Sequence, residues 1–154
     1  MSAMGELEIG PPNRGDLPAI HALETAAFPA PWRFEFFENE LSASGRFNLV
    51  ARRDGKLAGY VFSMWIFDEM HVNKIAVQES ERRRGVAAAL MARCLEFARA
   101  NSIRSISLEV RRSNEGAQAF YRHLGFRDEY IRARYYPDGE AAVVMELAIP
   151  SGSR

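Results

Sequence analysis

The run Lys74 to Leu90, KIAVQESERRRGVAAAL, constrains this chain more than any other part of it. Ile75, Ala76 and Val77 close a β-rich segment, and Gln78 to Arg84 forms a polar, charged turn. Gly85 then opens a helical pattern carried by Val86, Leu90, Leu95, Phe97 and Ala98. A strand that enters a helix this way leaves several N–H groups unpaired at the helix start, all pointing one way. The helix dipole adds positive potential there. Arg82, Arg83 and Arg84 add formal charge. Together these features make an anion seat suited to a phosphate or diphosphate. Gly85 lets a bulky diphosphate approach the backbone, and Ala87 and Ala88 keep the next turn slim. No Gly-Lys-Ser/Thr follows, so this is not a P-loop, and the three-glycine dinucleotide spacing is missing. A solvated basic turn capping an amphipathic helix is the plainer reading of the same residues.

Bulk properties narrow the class. The 154 residues suggest one domain, spanning about residues 5–149, with 150–154 a flexible C-terminal tail. Hydrophobic residues at 47% suit a packed globule, and a formal net charge of zero gives no case for non-specific nucleic-acid binding. The single cysteine, Cys94, falls inside a predicted helix with no histidine near it in sequence, which favours a core role over a nucleophile. No apolar run reaches the roughly 18 residues of a membrane span, and the N-terminus lacks a signal-peptide hydrophobic region. A cytoplasmic protein with no membrane partner is expected.

Elements follow from periodicity and turn residues. Leu7 and Ile9 suggest a short strand ended by Pro11 and Pro12. Asp16 is a plausible N-cap for a helix to Phe28, with Pro18 in its first turn. Phe28-Pro-Ala-Pro-Trp32 breaks that helix, and a second runs from Arg33 to Leu41. Strands are expected at Phe47–Arg53, Leu57–Phe67 and Met70–Val77, the first two joined by an Asp54-Gly55 hairpin turn. After the helix from Gly85 to Ala100, residues 103–110 alternate. Ile106, Leu108 and Val110 fall on one face, Ser105, Ser107 and Glu109 on the other. Strand, helix, strand is a right-handed crossover, so this strand should run parallel to Met70–Val77. Ser113 is read as the N-cap of a helix from Asn114 to Leu124, with Gly125 at its end. A last hairpin turns at Pro137-Asp138-Gly139. The order β-α-α-β-β-β-α-β-α-β-β is α/β, with a mixed, mostly antiparallel sheet flanked by helices.

The spacing Arg82-x-x-Gly85-x-Ala87 resembles the acyl-CoA signature Q/R-x-x-G-x-G/A of the GNAT acetyltransferases, and the element order is similar to their single-domain fold. Leu108-Glu-Val-Arg-Arg-Ser-Asn114, followed by Ala119-Phe-Tyr-Arg-His-Leu-Gly-Phe126, resembles the RimI-type branch, which acetylates protein N-termini and is best known for ribosomal-protein alanine. Phe28-Pro-Ala-Pro-Trp32 and Tyr135-Tyr136-Pro137-Asp138-Gly139 look like that branch's two substrate-side loops. The chain departs from the pattern at Arg33, where Ser or Thr is usual, and at Ala141, where the hairpin often continues with Asp. Both departures bear on peptide preference and leave the cofactor half untouched. The resemblance implies acetyl-CoA as co-substrate and a protein N-terminus, with a ribosomal protein as acceptor.

The chemistry assigns roles. An ammonium has no lone pair, and a free α-amine titrates at about 7.7–8.0, so a modest base suffices. Glu109 is the candidate, against the alternative of a salt bridge to one of the nearby arginines, such as Arg111. Tyr121 is the candidate acid for the departing thiolate, against the alternative of a core aromatic beside Phe120. Adjacent aromatics cannot share a helix face, so the cleft-facing one should be the more exposed. Asn114, two turns before Tyr121, is expected to bond the pantetheine amides. Ile75, Ala76 and Val77 offer backbone groups to the same arm, with the Val77 N–H placed for the acetyl oxygen. Arg82, Arg83, Arg84, Gly85, Val86, Ala87 and Ala88 form the diphosphate seat. Trp32, Tyr135 and Tyr136 wall a substrate slot or simply pack two loops. His71 shares a strand face with residues 73, 75 and 77 and is a second-rank catalytic candidate, with a half-buried sheet histidine as its plainer reading. No cluster has metal-ligand spacing, so no metal is expected. A small-amine acetyltransferase and a non-catalytic acyl-CoA-binding domain are the competing readings.

Overall fold

The strand–turn–helix run folds as its residues dictate. β4 (Glu69–Val77) leads through a 3-10 turn (Glu79–Glu81) into α3 (Val86–Ala100). The structure, a computed structural model, describes residues 5–150, so of the tail expected at 150–154 all but Pro150 lies outside the described residues. Val86, Leu90, Cys94 and Ala98, spaced four apart, are all buried and form one helical stripe. Leu95 and Phe97, expected on that face, are only half-buried, because the stripe follows the four-residue spacing past them. Cys94 is fully buried, and burial pushes its thiol up to about 12, as suits a core residue.

Seven strands take the hydrogen-bonded order β1-β2-β3-β4-β5-β7-β6. The chain forms two compact units. The first holds residues 5–64 and 74–96, the second residues 65–73 and 97–150. In the first, β1 (Leu7–Gly10) pairs antiparallel with β2 (Arg46–Arg53), and β2 with β3 (Lys56–Ile66). Asp54 and Gly55 both take positive φ, 55° and 77°, as a two-residue hairpin turn matched to strand twist requires. α1 (Leu17–Ala27) and α2 (Phe34–Ser42) cover these strands. Leu17, Ile20 and Leu23 of α1 pack with Phe37, Val50, Tyr60 and Phe62. Phe37 meets the rings of Tyr60 and Phe62 edge-on, with centroids 5.9 and 5.0 Å apart. Asp16 immediately precedes α1 but does not cap it with its side chain. Its carboxylate accepts from the Asn13 N–H at 2.8 Å and pairs with Arg52. A 3-10 turn at Arg14–Asp16 turns that carboxylate back toward the preceding residues.

In the second unit, β5 (Ser105–Arg111) runs parallel to the start of β4, pairing Glu69, Met70 and His71 with Ser105, Ile106 and Ser107. The ladder stops there, while β4 continues to Val77 and β5 to Arg111. β7 (Ala142–Ala148) lies antiparallel to β5 and also to β6 (Arg127–Arg132). Ile106, Leu108 and Val110 are buried while Ser105, Ser107 and Glu109 are half-buried, the alternation read from the sequence.

α4 spans Glu115–His123 and starts one residue later than expected. Asn114, not Ser113, is the N-cap, its side chain accepting from the Ala117 N–H at 3.1 Å. At the other end Gly125 has φ 107°, the Phe126 N–H reaches the Tyr121 carbonyl, and the Gly125 N–H reaches that of Arg122. This is a Schellman ending, for which glycine is the cheap residue.

Candidate active site

The turn after β4 has the donors a diphosphate needs. The first intrahelical bond of α3 runs from the Ala89 N–H to the Gly85 carbonyl at 2.9 Å. The N–H groups of Val86, Ala87 and Ala88 stand ahead of it, in the position where a helix has no carbonyl to offer. Gly85 has φ 81°, and a Cβ built there would meet nothing within 4 Å, so the backbone opens onto free space. Arg82 and Arg83 are exposed beside it, and Arg83 itself has positive φ. The Val86 side chain is 1% exposed and belongs to the core, so Val86 can offer only its backbone. Ile75 and Val77 are half-buried and Ala76 is buried. This donor set of helix N-terminal amides beside exposed guanidinium groups fits the diphosphate of an acyl-CoA.

The second unit brings titratable groups together around Glu109. Its Oε1 lies 2.7 Å from His71 Nε2, and His71 Nδ1 is bonded to Asn73 Oδ1. An amide oxygen only accepts, so Nδ1 carries a proton and Nε2 faces the carboxylate. Glu109 and His71 therefore share one proton. Burial lowers the His71 pKa, but the hydrogen bond and charge of Glu109, with the Asn73 bond, outweigh it and leave the imidazole raised. Without that proton a lone pair would face a carboxylate, the physical reason for the upward shift. Burial, together with the nearby Glu109 carboxylate, also raises the Tyr135 phenol. Arg111 does not form the salt bridge weighed for Glu109. Arg111 turns instead to Asp138 and Glu140, each at 2.9 Å, with its guanidinium 4.1 Å from the Tyr136 ring centre.

Glu140 thereby fastens the hairpin. It accepts from Arg111 and from the Ser113 N–H at 2.8 Å, and these bonds hold its carboxyl down at about 2. Tyr136 is pushed up to about 12, mainly by burial. Tyr135 and Tyr136 meet edge-on at 5.0 Å.

Two expectations on α4 change. Tyr121 is buried at 7% exposure, against the rings of Phe120 and Phe126, while Phe120 is the more exposed. Tyr121 faces inward because it follows the buried Gln118 by three residues, one turn along the same face. Asn114 is exposed and outside the helix proper, so it does not share that face, and its Oδ1 is used in capping.

A buried polar cluster in the first unit escaped the sequence reading. Glu24 of α1 is 0% exposed. Its carboxylate accepts from the Tyr60 hydroxyl and, at 2.9 Å, from the Trp32 N–H, and it pairs with Lys74 Nζ at 3.0 Å. Its signal was position. Glu24 follows Ile20 by four residues and Leu17 by seven, a charge on the apolar face of α1. Trp32 packs on Phe36 and Phe37 at 4.3 and 5.2 Å. Among the described residues no group of three His, Cys, Asp or Glu side chains is placed to hold a metal, and no helix is long and apolar enough to cross a membrane.

The acetyltransferase (GNAT) family model matches residues 17–126. The chain belongs to the GNAT acetyltransferases. It is 34% identical over 137 residues to the [ribosomal protein bS18]-alanine N-acetyltransferase of Escherichia coli K12, covering 87% of this chain and 92% of that protein. It is 32% identical over 136 residues to the putative [ribosomal protein bS18]-alanine N-acetyltransferase of Bacillus subtilis 168, covering 87% and 90%. The crystal structure of the ribosomal-protein-S18-alanine N-acetyltransferase from Escherichia coli matches with a TM-score of 0.88 at 31% identity, over 97% of each chain. This GNAT chain is thus an acetyltransferase with the GNAT fold, a mixed seven-stranded sheet flanked by helices.

Proposed function

We propose that this GNAT enzyme transfers an acetyl group from acetyl-CoA to the α-amine of a protein N-terminus, with the N-terminal alanine of a ribosomal protein as the acceptor. The observation that carries the reading is the Glu109–His71 pair, which shares one proton at 2.7 Å. Relatives named [ribosomal protein bS18]-alanine N-acetyltransferase, one of them as putative, at 32–34% identity, support the acceptor class.

In this mechanism the α3 N-terminal amides with Arg82, Arg83 and Arg84 hold the diphosphate, and the backbone of Ile75–Val77 lies along the pantetheine arm. Acetyl-CoA supplies the thioester. The Glu109–His71 pair, once it has lost its shared proton, takes a proton from the acceptor ammonium and frees the lone pair for attack. The Val77 N–H donates to the carbonyl oxygen as negative charge develops on it. The nitrogen bonds to the acetyl carbon and the C–S bond breaks. Tyr121, its ring in the core, gives its hydroxyl proton to the departing thiolate, which leaves as free CoA, and the second proton of the new amide nitrogen returns to the Tyr121 oxygen. No acyl-enzyme forms. Trp32, Tyr135 and Tyr136 receive the first residues of the peptide.

The test is release of free thiol from acetyl-CoA with peptides beginning Ala, Ser or Met and with a panel of small amines. Turnover of peptides alone supports the proposal. Turnover of amines alone, or acetyl-CoA binding with no turnover, overturns it.

A further inference from the structure

The Glu24–Lys74 pair has no place in the proton transfers above, yet it is the most deeply buried ion pair in the first unit. Glu24 is 0% exposed and the Lys74 side chain 16%. Removing two charges from water is expensive, and an apolar pair of similar volume stabilises a core as well or better. Stability alone is therefore a poor account of these residues. Their other contacts indicate a different one.

Lys74 Nζ stands 3.6 Å from the centre of the Phe28 ring and 5.4 Å from that of Trp32. Both distances are within the range where a ring face attracts a cation. The Glu24 oxygen that meets Lys74 also accepts from the Trp32 N–H. Phe28 and Trp32 are the two ends of the Phe-Pro-Ala-Pro-Trp loop, and its two prolines have no N–H with which to anchor themselves. Pro29, Ala30 and Pro31 are exposed. The loop is thus gripped at its ends, by one ammonium on two rings and one carboxylate on one amide. Lys74 directly precedes Ile75–Val77 in β4.

We infer that the Lys74–Glu24 pair is a latch that positions the Phe28–Trp32 loop for the acceptor peptide. Lys74 and Glu24 are positioning residues; neither touches the reacting atoms. The inference rests on the peptide acceptor proposed above, but the latch itself can be read independently of turnover.

Trp32 is one of only two tryptophans, so a Trp65→Phe background leaves it as the sole indole reporter. In that background we would compare Lys74→Met, the neutral double variant Glu24→Gln/Lys74→Met, and Phe28→Leu, which removes a ring and leaves both charges. The readouts are acrylamide quenching of Trp32, melting temperature, and separate KM values for an Ala-starting peptide and for acetyl-CoA. Loss of one cation–ring contact corresponds to roughly a 3- to 30-fold change. We therefore expect peptide KM to rise about tenfold, with acetyl-CoA KM within about twofold and Trp32 quenching increased. Lys74→Met strands a buried carboxylate and can fail to fold; the double variant and Phe28→Leu then carry the test. Unchanged quenching and unchanged peptide KM in these folded variants would overturn the latch. So would equal rises in both KM values. If the parent turns over no peptide, the acceptor reading fails, and quenching alone decides whether Lys74 holds the loop.

Discussion

Glu109 owes its chemistry to one neighbour. Because Asn73 fixes the proton on His71 Nδ1, the remaining ring nitrogen shares a proton with the carboxylate. Glu109→Gln should lower kcat by about 10²-fold, the lower end for loss of a general base, with acetyl-CoA affinity within about twofold. Single-turnover kinetics and equilibrium binding check this. The pair must lose its proton before it can accept another, and the His71 pKa is raised above its ordinary 6.5. The rate should therefore climb with pH through a limb above 6.5, and His71→Gln should remove or lower that limb in a kcat profile. The sign for stability is opposite. A raised imidazole stabilises the fold fully below its unfolded pKa, and that contribution fades as pH rises through the folded value. Glu109 was legible as a candidate from its strand face. His71 was legible too, as a second-rank candidate, but its pairing with Glu109 was not, because the register of β4 against β5 is encoded by nothing local to either residue.

At the scale of the element, α4 shows how closely a helix boundary can be read. Gly125 was visible in the sequence, but the inward face carried by Gln118 and Tyr121 was not, nor was the choice between Ser113 and Asn114 as cap. Both are good capping residues one position apart, and Glu140 decides between them by taking the Ser113 N–H. Asn114→Ala should cost about 1 kcal/mol in a denaturant titration, with Ser113→Ala well below that. The β6–β7 hairpin is held by the same carboxylate. Glu140→Gln should weaken its grip on Arg111 and raise peptide KM more than acetyl-CoA KM in steady-state assays. Glu140 has its carboxyl lowered to about 2 from an ordinary 4.5. Its stabilising contribution is present above about 4.5 and is lost as pH falls toward 2, so the clamp stays intact throughout the neutral range.

For the whole molecule, the element order was readable because each switch of hydrophobic period falls at a turn residue. Asp54-Gly55, Gly85 and Gly125 all take positive φ. The strand order was less so: β7 lies between β5 and β6, and adjacency to β5 is set by pairing across more than 30 residues, such as Ser105 with Ala148. The Glu24–Lys74 pair was hidden for a related reason, since a charge on an apolar face gains meaning only when its partner is known. Family membership rests on the GNAT match and the relatives, while the acceptor rests on the proposed chemistry. The most direct measurement is tandem mass spectrometry of a peptide that begins with Ala and carries an internal Lys, after incubation with enzyme and acetyl-CoA. The account predicts one acetyl group on the terminal nitrogen, with the lysine unmodified and no product from a peptide whose α-amine is blocked. Acetylation of the lysine, or of the blocked peptide, would contradict it.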